Sequence, residues 1–169
     1  MPVLNLSAPL AAASAAQIDP LLTFVRAIGL EVREASLEGQ QTFLPGLLID
    51  RGTLVVDRQR LLFPGDILHE AGHIAVTPAA ERHLVTANIT ENKPEKEGDE
   101  LAVLIWTYAA ARALNLPPEV VFHPHGYKSQ SAWLIEHFST GGTMGLPLLI
   151  WMGLTTAATF PVMSRWLRE

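Results

Sequence analysis

Two histidines four residues apart, with a glutamate beside the first, make His69-Glu70-Ala71-Gly72-His73 the stretch of this sequence with the plainest chemical use. On an α-helix, positions i and i+4 share a face one turn apart, so both imidazoles can aim a nitrogen at one point. Zinc accepts neutral imidazole nitrogens at about 2.0–2.1 Å, and a catalytic site supplies three protein ligands and leaves one position open. Glu70, one residue past the first histidine, would stand beside water activated at such an ion and take its proton as general base. Ala71 and Gly72 are small enough to let a neighbour pack close behind the site, and Ile74, Ala75 and Val76 bury the far side. The competing reading is a chance match on a salt-bridged surface helix. Such a helix would carry charge where this one carries Ile67, Leu68, Ile74 and Val76.

A third ligand must come from elsewhere. The extended signature H-E-x-x-H-x-x-G-x-x-H is absent, because Val76 and Ala79 occupy its glycine and third histidine. A cysteine ligand is excluded, since the chain has none. The thermolysin-like spacing would need a glutamate at Asn92, and the neighbouring Glu91 precedes Pro94. Glu95, Glu97, Asp99 and Glu100 remain, and carboxylates there also suit the positive end of a helix. A hydrolase also needs a donor for developing negative charge, and His123-Pro124-His125-Gly126-Tyr127 offers three side chains in one turn, Tyr127 being the candidate carried forward. The same stretch can be read as a surface turn with a packed tyrosine. His137 reads as a half-buried core residue and His83 as solvated surface.

The elements that would position these groups follow from periodicity. Asp19-Pro20 followed by LLTFVRAIG reads as a capped helix with Leu21, Phe24, Val25 and Ile28 on one face and Gly29 at its end. Extended pieces follow, LLID and TLVVD flanking Arg51-Gly52 as a hairpin. Pro64 suits a first helical turn and Thr77-Pro78 a stop, which puts HEAGH mid-helix. A polar loop through Pro94 turns into a helix near Glu95 whose Leu101, Val103, Leu104, Ile105 and Trp106 point in every direction, so it should be buried. Helices over SAWLIEHF and FPVMSRWLRE complete the reading.

Composition narrows the function class. With 169 residues, 49% hydrophobic and 17% charged, the chain has material for one cored domain, expected over 1–169 with 1–17 flexible. A net charge of −5 with scattered Lys and Arg argues against nucleic acid. The uncharged run between Ser139 and Ser164 is broken by Gly141, Gly142, Gly145, Pro147, Gly153 and Pro161, so no membrane insertion is expected. Ala13-Ser14-Ala15 lacks a preceding basic region, and the expected location is the cytoplasm. Trp106, Trp133, Trp151 and Trp166 read as core or as a homo-oligomer contact.

HEAGH, the hairpin LLIDRGTLVVD before it and the helix opening GDELAVLIW after it together resemble the minimal zinc peptidases of the ImmA/IrrE type, over about residues 20–115. In these gluzincin-like HExxH enzymes a strand pair precedes the motif helix, and a glutamate opening a later helix completes the zinc set. The resemblance implies His69, His73 and Glu100 as Zn2+ ligands and Glu70 as the base; helix position after Pro94 leaves Glu97 as the alternative third ligand. Ala102 stands where the family pattern has asparagine. The implied fold is α+β and zincin-like, a small antiparallel sheet on a helical bundle. The implied activity is zinc-dependent hydrolysis of a peptide or protein, which could add as a strand to the sheet edge. A noncatalytic metal-binding regulator or sensor is the rival expectation.

Overall fold

The computed structural model of the chain describes residues 10–86 and 97–169, the side chains of Glu97 and Gly98 excepted. Helix α1 (Ala15–Ala27) begins earlier than Asp19-Pro20 suggests. Ser14 is its N-cap: its hydroxyl accepts from the Gln17 N–H, and the Gln17 side chain accepts from the Ser14 N–H at 2.9 Å. This capping box satisfies two donors that Asp19 would have served less completely, and Pro20 is carried inside the helix on an exposed face. Of the stretch expected to be flexible, Ser14–Gln17 form the cap and first turn of α1, and 1–9 lie outside the described residues. Gly29, at φ 103°, ends α1 by donating to the Arg26 carbonyl while Leu30 donates to Val25.

Strands β1 (Val32–Glu34), β2 (Leu47–Asp50) and β3 (Thr53–Val56) form one sheet in the order β1-β3-β2. The hairpin expected at Arg51-Gly52 is present, both residues at positive φ as its two-residue turn requires. The sheet is mixed, however, not antiparallel: β1 runs parallel to β3. The chain leaves β1, passes through residues 35–46 to the far side of β3, and returns along β3 in the direction of β1. Leu54, Val55 and Val56 of this central strand are all buried, a continuous apolar run rather than an alternation.

The motif helix α2 (Asp66–Ala75) and the long α3 (Glu97–Ala113) form the centre of the core. Gly72 of α2 faces α3 so closely that a Cβ there would stand 3.1 Å from both Trp106 Cε3 and Val103 Cγ1. Behind the first turn of α2, Gly65 meets the backbone of α4 (Pro118–Val121) with no room for a side chain. Helices α5 (Ser131–Ser139) and α6 (Leu146–Trp151) follow, and α6 packs on α3. Among the described residues no helix is long and apolar enough to cross a membrane. The helix expected over FPVMSRWLRE does not form. Its backbone donors serve other elements instead: Ser164 donates to Leu154 and Arg168 to the Ala75 carbonyl at the end of α2. The Arg168 guanidinium also donates to the Val76 carbonyl at 3.2 Å, and Trp106 Nε1 donates to the Trp166 carbonyl at 3.0 Å. The tail thus supplies a cap for the motif helix.

Candidate metal centre

The three residues implied as ligands meet at one point. His69 Nε2 and His73 Nε2 lie 3.2 Å apart. Glu100, in the first turn of α3, brings Oε1 to 3.4 Å from the former and Oε2 to 3.2 Å from the latter. Donors held about 2.0–2.1 Å from one ion at tetrahedral angles stand about 3.3 Å from each other, and each of these three separations, the two to Glu100 made by different carboxylate oxygens, is of that size. Glu70 also has a carboxylate oxygen within 4.8 Å of a nitrogen on each imidazole, and Glu100 pairs directly with both. Of the alternatives, Glu97 begins α3 with its side chain outside the described residues, where Glu95 also lies.

Burial and charge divide the protonation states. Burial, with the charge of His73, lowers the His69 pKa to about 4, so this imidazole is neutral. Burial also pulls His73 down, but the Glu100 hydrogen bond and the charges of Glu100, Glu70 and Asp99 outweigh it and leave the pKa raised. Glu100 is the mirror image: burial would raise it, and its bond to His73 with the charges of both histidines and Lys128 brings it below the usual carboxylate range. His73 and Glu100 therefore favour each other's charged forms across their 3.2 Å contact, with a proton held between them. Glu70, only 9% exposed, is pushed up to about 7 chiefly by burial. A carboxyl poised there can both accept and return a proton near neutral pH.

Tyr127 reaches the same site from the other side of His69. Its hydroxyl is 3.5 Å from His69 Nδ1, the nitrogen that faces away from the three converging donors, and its ring stands edge-on to the imidazole. Burial, followed by the charges of Asp66, Glu100 and Glu70, pushes the phenol pKa well up, so it stays protonated. No family model, curated protein or solved structure matches the chain. The site must be read from its own geometry.

Two residues that the sequence reading did not place in the site belong to its surroundings. Asp66 lies one turn before Glu70, at a D-x-x-H-E-x-x-H spacing that marks one polar stripe along α2. It is buried and its Oδ1 lies 2.7 Å from His123 Nε2, also buried. His123, weighed earlier as one of three donors in a turn, is therefore directed at Asp66. His125 is exposed and stacks against Phe63, whose ring also covers His123. His137 is half-buried and accepts from the Met144 N–H, and His83 is exposed.

Proposed function

We propose that the chain is a zinc-dependent hydrolase, a minimal peptidase with a zincin-like arrangement of α2 and α3. One observation carries the proposal: the Glu100 carboxylate sets one oxygen 3.4 Å from His69 Nε2 and the other 3.2 Å from His73 Nε2, while the buried Glu70 carboxylate stands beside the same two histidines. A site built only to store a metal has no need of the second carboxylate. When bound, zinc would polarise a carbonyl and acidify water. Glu70 then serves as the proton carrier, accepting from water and returning the proton to a leaving amine. His69, His73 and Glu100 hold the ion, and Tyr127 holds the His69 ring. The peptide as substrate rests on the resemblance carried by HEAGH and GDELAVLIW.

The test is element-specific metal analysis on protein prepared without a histidine tag, combined with turnover on a peptide library. About one zinc per chain, lost in His69→Ala, supports the centre. Retention of zinc with loss of turnover in Glu70→Gln supports the hydrolase. Stoichiometric zinc with no turnover on any peptide would instead make the chain a metal-binding regulator, and absence of metal would remove both readings.

A further inference from the structure

The Asp66–His123 pair is poorly explained by stability. It makes one hydrogen bond, at 2.7 Å, while Asp66 Oδ2 and His123 Nδ1 are both buried without a hydrogen-bond partner among the described residues. Well-packed apolar residues often stabilise such a position as well as or better than a buried ion pair, and the best-attested use of such a pair is to fix register. Here the register is that of one segment on α2. His123 is clamped by Phe63, whose ring lies parallel at 4.0 Å with an angle of 11° between planes. Gly126 rides on the His123 ring, since a Cβ there would stand 3.1 Å from His123 Cε1, and its N–H donates to the His123 carbonyl at 3.2 Å.

The next three residues, Tyr127, Lys128 and Ser129, all have positive φ, at 59°, 50° and 66°. None is glycine, and a run of left-handed residues persists only where its surroundings hold it. Its two ends are held. His123 fixes Gly126 at the entrance, while Gln130 donates to the Tyr127 carbonyl and the Ser131 hydroxyl donates to the Phe122 carbonyl at the exit. What the strained turn delivers is the Tyr127 hydroxyl at His69 Nδ1. A ligand histidine must present a bare Nε2, so Nδ1 carries the proton and the Tyr127 oxygen is placed to accept it, which sets the plane of the ring.

We infer that Asp66 and His123 are positioning residues for the metal centre, acting through the Tyr127 turn to hold His69 with Nε2 directed at Glu100 and His73. The inference rests on the reading of His69 as a ligand. Its test is a double-mutant cycle on cobalt(II) affinity in tag-free protein, with a second readout on the metal-free chain. Tyr127→Phe and His123→Ala should each weaken cobalt binding about tenfold, the scale of a lost partner behind a ligand. The double variant should be no weaker than the worse single, because both act along one route. His123→Gln, whose amide can still donate to Asp66, should restore most of the loss. Additive losses, or full affinity in His123→Ala, would overturn the inference. In the chelated protein, nitrogen-15 NMR should show His69 in the single Nδ1-protonated tautomer in the parent and a tautomer mixture in Tyr127→Phe, His123→Ala and Asp66→Ala. An unchanged tautomer in the His123 and Asp66 variants would equally overturn it. If the parent binds no cobalt, the metal reading fails, and the NMR comparison still decides whether these residues position His69.

Discussion

Helix α2 and the segment from His123 to Ser129 meet at His69, and they hold their polar groups by opposite means. On α2 the helical period alone puts Asp66, His69, Glu70 and His73 in one stripe, and apolar neighbours such as Ile67, Leu68 and Ile74, each fully buried, fix its rotation. In the segment no period operates. Tyr127 is placed by a stacked ring, one buried side-chain hydrogen bond and three residues in a left-handed conformation. Donors on the helix are cheap to specify and tolerant of change around them, whereas the turn depends on several side chains at once. Glu100 lies between these cases: its helix is regular, but its place at the His pair depends on how closely α3 approaches α2.

The largest effect should come from removing a donor on the stripe itself. A structural zinc site contributes on the order of 12 kcal/mol of binding, so one of four ligands carries about 3 kcal/mol and its loss costs on the order of 100-fold in affinity. His73→Ala should show this by competition with a chromophoric chelator. Affinity in the parent should also fall about tenfold for each pH unit below the raised His73 pKa, because the ion must displace the proton shared with Glu100. A flat profile would mean that His73 is not a ligand.

Next in size is the cost of keeping Glu70 buried and ready. Its folded pKa, about 7, stands above the ordinary 4.5. Between these values the unfolded chain has lost the proton that the folded chain keeps, so this residue makes stability fall as pH rises from 4.5 to about 7 and has no further effect above that. The gap corresponds to about 3 kcal/mol at most. Metal-free Glu70→Gln should therefore match the parent in denaturant melts near pH 4.5 and exceed it by about 2 kcal/mol at pH 8. Equal stability at pH 8 would show that Glu70 is better solvated than its 9% exposure implies.

Gly72→Val tests the approach of α3. Its side chain would press on Trp106 and Val103 from a Cβ already at 3.1 Å, and overpacking of this kind costs about 1–3 kcal/mol. Because the same contact sets the distance from Glu100 to the histidines, metal affinity should fall along with melting temperature. A stability loss with affinity intact would show that α3 can shift without moving Glu100.

The legibility of these parts follows the same division. HEAGH, the hairpin turn at Arg51-Gly52 and the buried α3 were readable because each is encoded by neighbours in sequence, through a 3.6-residue period or a turn's demand for positive φ. The start of α1 was misjudged although Ser14 and Gln17 carried the signal of a capping box, because Asp19-Pro20 presented a competing one. The parallel placement of β1 was not readable, since three residues carry too little pattern to choose a partner or a direction. Asp66 could have been found from its spacing to Glu70. Its partner His123 could not, because 57 residues separate them and only the packing of α4 behind Gly65 brings the turn to α2. The terminal segment shows a third case: its amphipathic look is real, but Trp166 and Arg168 spend it on the Trp106 ring and on the end of α2.

The smallest effect separates two carboxylates on α3. Glu97 is three residues before Glu100 in the same helix, and both satisfied the search for an acidic residue after Pro94. Glu100 contacts both Nε2 atoms, so Glu100→Gln should lower cobalt affinity on the order of 100-fold, like the loss of a histidine. Glu97→Gln should change it less than about twofold. Visible absorption of the cobalt protein sharpens the comparison. The band shape should persist in Glu97→Gln and change in Glu100→Gln, since only the latter alters a donor atom. A reversal of the two results would move the third ligand one turn toward the start of α3 and would require that helix to meet α2 in a different register from the one Gly72 now permits.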